Sequence, residues 1–209
     1  MTKIYFISHP EVVIDPAKPV PSWNLSERGV KRMRSFASQP ELRSITSIWS
    51  STETKAIEAA EILAGVLRIS PLTDSRFNEI DRSATGFLPA EHHEIIADQF
   101  FSAPETSIRG WERAIDVQQR IVSGFEAVKQ LGTSGDIAII GHGGAGTVLL
   151  CYLAGLLINR RYDQPFQGHY WCYSCEDDAV LHHWKPISVP LIGFAIAYAA
   201  ETNLSAPMR

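Results

Sequence analysis

The strongest constraint on this chain is a repeated alternation. Short apolar runs of strand length are followed by longer segments whose apolar residues recur at helical spacing. Lys3 to Ile7 and Asp136 to Ile140 are runs of the first kind, apolar through their centres. Ile45 to Trp49 reads as a further strand, and the segment after it places Ala56, Ala59, Ala60, Leu63 and Leu67 on one helical face. Strands without polar alternation need cover on both faces. The alternation therefore predicts a three-layer α/β/α sandwich around a mainly parallel sheet.

The remaining elements follow from local signals. Ser26 to Ala37 reads as a helix opened by an N-cap serine. Ser50 with Glu53 has the capping-box pattern for a helix running to about Leu67. Glu91 to Phe101 and Glu112 to Leu131 read as helices, the second with Ile121, Phe125, Val128 and Leu131 on one face. Gly141 to Gly146 reads as a turn and Thr147 to Leu157 as the helix after it. His169 to Cys175 and Ala179 to Lys185 form a predicted hairpin turning at Glu176-Asp177-Asp178, which would add an antiparallel edge.

A length of 209 residues fits a single domain, residues 1–209. The formal charge of −4, without a long basic run, speaks against a nucleic-acid partner. Val189 to Ala200, the most apolar stretch, is about half the length of a membrane span and reads as a core-packing terminal element, so no membrane partner is expected. Cys151, Cys172 and Cys175 do not form a disulfide framework, and a cytoplasmic location is the expectation. Oligomeric state leaves no trace in the sequence.

Ligands of open α/β sheets bind beyond the carboxyl ends of the strands. Three such ends carry Ser8-His9-Pro10-Glu11, Ser50-Ser51-Thr52-Glu53-Thr54-Lys55 and Gly141-His142-Gly143-Gly144. Two imidazoles, an ammonium and a helix N-terminus at one rim suit an anion. Plainer readings exist for each residue: a hydrogen-bonded structural His9, Ser50 and Ser51 as helix caps, Lys55 as a solvated lysine, Glu79 as a surface carboxylate. Two other patterns carry less. Gly141 to Gly146 also fits G-x-G-x-x-G, but Asp163, about twenty positions on, does not end an apolar strand. Cys172 and Cys175, with His169, His182 and His183, have zinc-ligand chemistry, but residues three apart on a strand face opposite ways.

Five segments, in order, resemble the motifs of the histidine phosphatase (phosphoglycerate mutase-like) superfamily. They are Ser8-His9-Pro10-Glu11, Leu25-Ser26-Glu27-Arg28-Gly29, Ser50-Ser51-Thr52-Glu53-Thr54-Lys55-Ala56, Phe77-Asn78-Glu79-Ile80-Asp81 and Ile139-Ile140-Gly141-His142-Gly143-Gly144. The resemblance implies metal-independent phosphoryl transfer, most simply phosphomonoester hydrolysis, with no cofactor. Its partner would be a small phosphorylated substrate or inorganic phosphate. His9 would be the nucleophile that becomes a phosphohistidine, and Glu79 the general acid with Asp81 in reserve. His142, Lys55 and Gly143 would bind the phosphoryl oxygens. The chain departs from the family at three points. Ser8 stands where the family has an arginine beside the nucleophile, Pro10 where it has glycine, and Lys55 where it has a second arginine. A point charge replaces a planar fork at Lys55, so slow turnover is expected. The resemblance also leaves room for a weakly active or inactive member that binds a phosphorylated ligand or a protein partner. Arg28, Arg82 and Arg109 are the candidate cations to compensate for the loss at Ser8.

Overall fold

The computed structural model describes residues 2–188. The predicted terminal element from Val189 to Ala200 lies outside them. Eleven elements build the fold: β1 Lys3–Ser8, α1 Glu27–Ala37, β2 Ile45–Ser50, α2 Thr54–Leu67, β3 Leu72–Thr73, α3 Ala90–Ser102, α4 Ala114–Lys129, β4 Asp136–Gly141, α5 Gly143–Leu153, β5 His169–Ser174 and β6 Ala179–Pro186. The strands make one sheet in the order β3-β2-β4-β1-β5-β6. Pairs β3–β2, β2–β4 and β4–β1 are parallel, while β1–β5 and β5–β6 are antiparallel. The mainly parallel α/β/α sandwich expected from the alternation is the observed one.

The pleat of the central strands sorts their residues between two cores. Ile4 and Phe6 of β1, with Ile137 and Ile139 of β4, pack against Ile96, Ile121, Phe125 and Val148 from α3, α4 and α5. Tyr5 and Ile7, with Ala138 and Ile140, pack against Met33, Phe36, Ala59 and Leu63 from α1 and α2. Both faces are thus apolar, which explains why these strands read as continuous apolar runs. Cys172 packs in the second core and Cys175 against the first, the opposite facing expected of residues three apart.

The parallel register aligns the strand ends that position the site. Ser8 lies opposite Gly141, and Ser50 opposite Ile140. The ladder continues one residue beyond, with His9 N–H donating to Gly141 O (3.0 Å) and Ser51 N–H to Ile140 O (3.0 Å). Gly29 has a steric reason: a side chain there would place its Cβ 2.2 Å from the carbonyl oxygen of Glu11. Ser26 caps α1 by accepting from Gly29 N–H (3.1 Å), and its own N–H donates to that same Glu11 carbonyl.

Three expectations need correction. Ser50 does not cap α2; it remains in β2, its hydroxyl donating to Ser51 O, and Glu53 is the N-cap residue without a side-chain cap bond. Glu53 is diverted because its carboxylate serves Lys55 and the backbone of Glu79. Helix α5 starts at Gly143, not Thr147, and stops at Leu153, not Leu157. Its glycines face close neighbours: a Cβ at Gly146 would lie 2.4 Å from the Phe6 ring, and one at Gly144 2.6 Å from Ile80 Cδ1. Helix α4 begins at Ala114, two residues later than the apolar pattern implied.

Candidate active site

His9 follows the end of β1 and His142 follows the end of β4, so their rings meet edge to face with centroids 5.2 Å apart. His9 Nδ1 donates to Pro10 O (2.8 Å). A carbonyl only accepts, so the proton sits on Nδ1 and the lone pair is on Nε2, which has no hydrogen bond among the described residues. Burial, reinforced by His142 and Lys55, pulls the His9 pKa down to about 3. The ring is therefore neutral, the state a nitrogen nucleophile requires.

His142 is fully buried. Ser51 Oγ lies 2.7 Å from its Nε2 and also accepts from Glu53 N–H (3.2 Å). With the Ser51 hydroxyl hydrogen directed at Nε2, the neutral ring carries its proton on Nδ1. That Nδ1 is buried without a partner. Burial is also the main reason the His142 pKa falls to about 3; Glu79 opposes the shift, and Lys55, Arg82 and Arg120 add to it.

Helix α5 starts beside this pair, and its first-turn N–H groups are partly spent. Gly144 and Ala145 donate to the Glu79 carboxylate (3.2 and 2.9 Å). The N–H of Gly143 makes no hydrogen bond with the described residues. Glu79 thus stands at the expected rim, but as an anion capping a helix. Burial alone would raise its pKa; His142, Arg82 and the Ala145 N–H outweigh burial and hold the carboxyl below its ordinary range.

Lys55 is placed differently from expectation. It occupies the first turn of α2, where a bound anion was expected to balance it. That anion is the chain's own: Nζ donates to Glu53 Oε2 (2.5 Å) and to Val20 O (3.0 Å). Its charge reaches both histidines but is compensated on the spot. Of the arginines considered as replacements, Arg28 pairs with Glu11 (3.0 Å). Arg109 lies on an exposed turn with φ of 51° and touches none of these groups. Arg82 does come close: its guanidinium lies over the Trp111 ring, 5.4 Å from the centroid, and its charge acts on His142 and Glu79. Asp81 pairs its carboxylate with Ser83 N–H (2.9 Å), turned to its own loop.

An open cavity of about 1000 Å³ lies beside the site, lined by Glu53 and Glu79 rather than by the histidines themselves. Pro19 and Val20, Phe87, Trp111 and Arg82 form its walls. Trp23 Nε1 donates to Asp15 O and Lys18 O, folding the proline-rich loop into one wall.

Strand ends, facing histidines and a helix N-terminus meet at one rim whose chemistry suits an anion. Comparison makes this specific: the histidine phosphatase superfamily (branch 1) profile matches residues 9–175, and the chain belongs to that superfamily. No curated protein matches the sequence. Among solved structures, YhfR of Bacillus stearothermophilus superposes with a TM-score of 0.72 at 21% identity, over 91% of this chain and 98% of that one. A mycobacterial glucosyl-3-phosphoglycerate phosphatase gives 0.66 at 18% identity, over 88% and 96%. A phosphoserine phosphatase from Entamoeba histolytica, solved with 3-phosphoglyceric acid, gives 0.72 at 15%, over 88% and 98%. These likenesses show a shared phosphoglycerate mutase-like fold. Among the described residues, no helix is long and apolar enough to cross a membrane.

Sequence reading missed Ser51, which holds His142, and Glu53, which holds Lys55. Both lie in the quoted Ser50–Ala56 motif, but local capping explained them equally well.

Proposed function

We propose that the chain hydrolyses small phosphomonoesters through a phosphohistidine at His9. The observation that carries this is the pair of rings itself. A neutral His9 has its Nε2 lone pair free, 5.2 Å between centroids from a His142 whose buried Nδ1 has no partner. In the first step His9 Nε2 attacks phosphorus and the ester P–O bond breaks, while Glu79 protonates the departing oxygen. Glu79 begins as an anion; the phosphoryl dianion arriving beside it raises its pKa and lets it take up the proton it gives away. In the second step water, deprotonated by Glu79, attacks phosphorus, the P–N bond breaks, and phosphate and free His9 result. His142 Nδ1–H and Gly143 N–H hold the phosphoryl oxygens through both steps. The cavity walled by Phe87, Trp111 and Arg82 receives the leaving group. Compensation of Lys55 by Glu53 leaves the transferring group fewer full charges, so turnover is slow.

The same compensation supports a second reading, a member that binds a phosphorylated ligand without turning it over. An aryl phosphate assay in EDTA separates the two. The first reading expects slow hydrolysis, undisturbed by EDTA and lost in His9→Ala, and an acid-labile phosphoprotein on quenching with labelled substrate. A folded wild type that turns over none of a broad phosphomonoester panel and traps no label leaves the binding reading in its place.

A further inference from the structure

We propose that the side-chain amide of Gln164 is a phosphoryl-oxygen binding group of this site, the neutral donor that serves where Ser8 supplies no cation. The inference rests on the site reading above and names a residue that no motif contains.

The geometry starts at Ser8, which is fully buried. Its Oγ accepts from His169 N–H (3.0 Å) and lies 2.5 Å from Gln164 Oε1, closer than to His169 O at 3.2 Å. The hydroxyl hydrogen therefore goes to Gln164 Oε1. With the oxygen prong taken, the NH2 prong faces the other way. On that side stands Gly143: a Cβ built on it would lie 2.3 Å from Gln164 Nε2. The two hydrogens of Nε2 thus sit against the residue whose own N–H is free at the start of α5, next in sequence to His142. Nε2 has no acceptor among the described residues.

The loop holding Gln164 is fastened at both ends. Asp163 Oδ1 accepts from Thr147 Oγ1 (2.8 Å) and from Gln164 N–H (2.8 Å). Beyond it, Arg32 donates to Gln167 O (2.9 Å) and Gly168 O (3.0 Å), with its guanidinium over Phe166. An amide held this way is a preorganised donor. Gly143 N–H, His142 Nδ1–H and Gln164 Nε2 then form one set of neutral donors with unmet valence, all suited to phosphoryl oxygens. A side chain at Gly143 would displace the amide, which gives that glycine a reason beyond the helix start.

The test measures inorganic phosphate and vanadate affinity by calorimetry on the full chain, with thermal unfolding as the folding control. Gln164→Ala is expected to weaken binding about tenfold. Gln164→Glu keeps the Ser8 contact but turns an oxygen toward the anion, and is expected to weaken it roughly another tenfold or more. Binding that is unchanged or tighter in Gln164→Ala overturns the proposal, since the amide would then be a bystander or a plug. Wild-type binding that disappears in His142→Ala yet survives both Gln164 substitutions removes only the role of Gln164. A wild type that binds neither anion removes this inference together with the site reading beneath it.

Discussion

At the scale of single residues, the second histidine depends on a serine. Ser51 Oγ bridges Glu53 N–H and His142 Nε2, and both partners are buried. Removing the hydroxyl strands a donor and an acceptor away from water. Ser51→Ala is expected to cost about 1–3 kcal/mol in urea unfolding. It is also expected to release the His142 ring from a single tautomer, visible as a change in its 15N shifts, and to weaken vanadate binding. Unchanged ring shifts would mean that Ser51 only fills space. His9 and His142 were legible in the sequence because each directly follows an apolar strand. Gln164 was not, since its meaning depends on Ser8, 156 residues away, and no local pattern records that contact.

At the scale of elements, α5 shows how tertiary context overrides propensity. Gly143, Gly144 and Gly146 made its first turn look like loop, and glycine in a helix costs roughly 0.5–1 kcal/mol relative to alanine. The Glu79 carboxylate offsets this by accepting from Gly144 and Ala145 N–H, an external cap that places an anion at the positive end of the helix dipole. Glu79→Ala should therefore destabilise the protein by about 1–2 kcal/mol, and Glu79→Gln, which keeps one acceptor, by less. Equal unfolding midpoints for Glu79→Ala and wild type would show that the cap is not needed. The same contact, made across 65 residues of sequence, is why the cap that starts α5 could not be read from sequence alone. The two-residue β3 was equally illegible, because Leu72–Thr73 has no periodicity to display. By contrast β1 and β4 were plain, because their burial on both faces leaves little room for polar residues.

For the whole molecule, the buried histidines link stability to pH. His9 and His142 have folded pKa values of about 3, below the ordinary 6.5. The unfolded chain takes up protons first as pH falls. Stability is thus fully present above about 6.5 and lost progressively toward 3, at about 1.4 kcal/mol per pH unit for each histidine. His169, held down to about 4 mainly by burial, acts in the same direction. Asp163 acts in the opposite one: burial raises it to about 6, so between 3.8 and 6 its contribution grows as pH falls. In urea titrations between pH 7 and 5, His9→Gln should lose stability less steeply than wild type, by about one histidine's slope. Parallel lines for the two proteins would show that His9 is not held neutral by the fold.

The position of β1 at the centre of the sheet has a consequence for synthesis. It leaves the ribosome before the other strands of its sheet, yet Ile4 faces Ile137 on one side and Tyr173 on the other. At roughly 5–20 residues per second, β1 waits on the order of ten seconds for its first partner and longer for its second. During that time Ile4 to Ile7, which the finished protein buries almost completely, has no sheet to join. The nascent chain must keep this apolar segment from pairing with other chains until β4 and then β5 have been made.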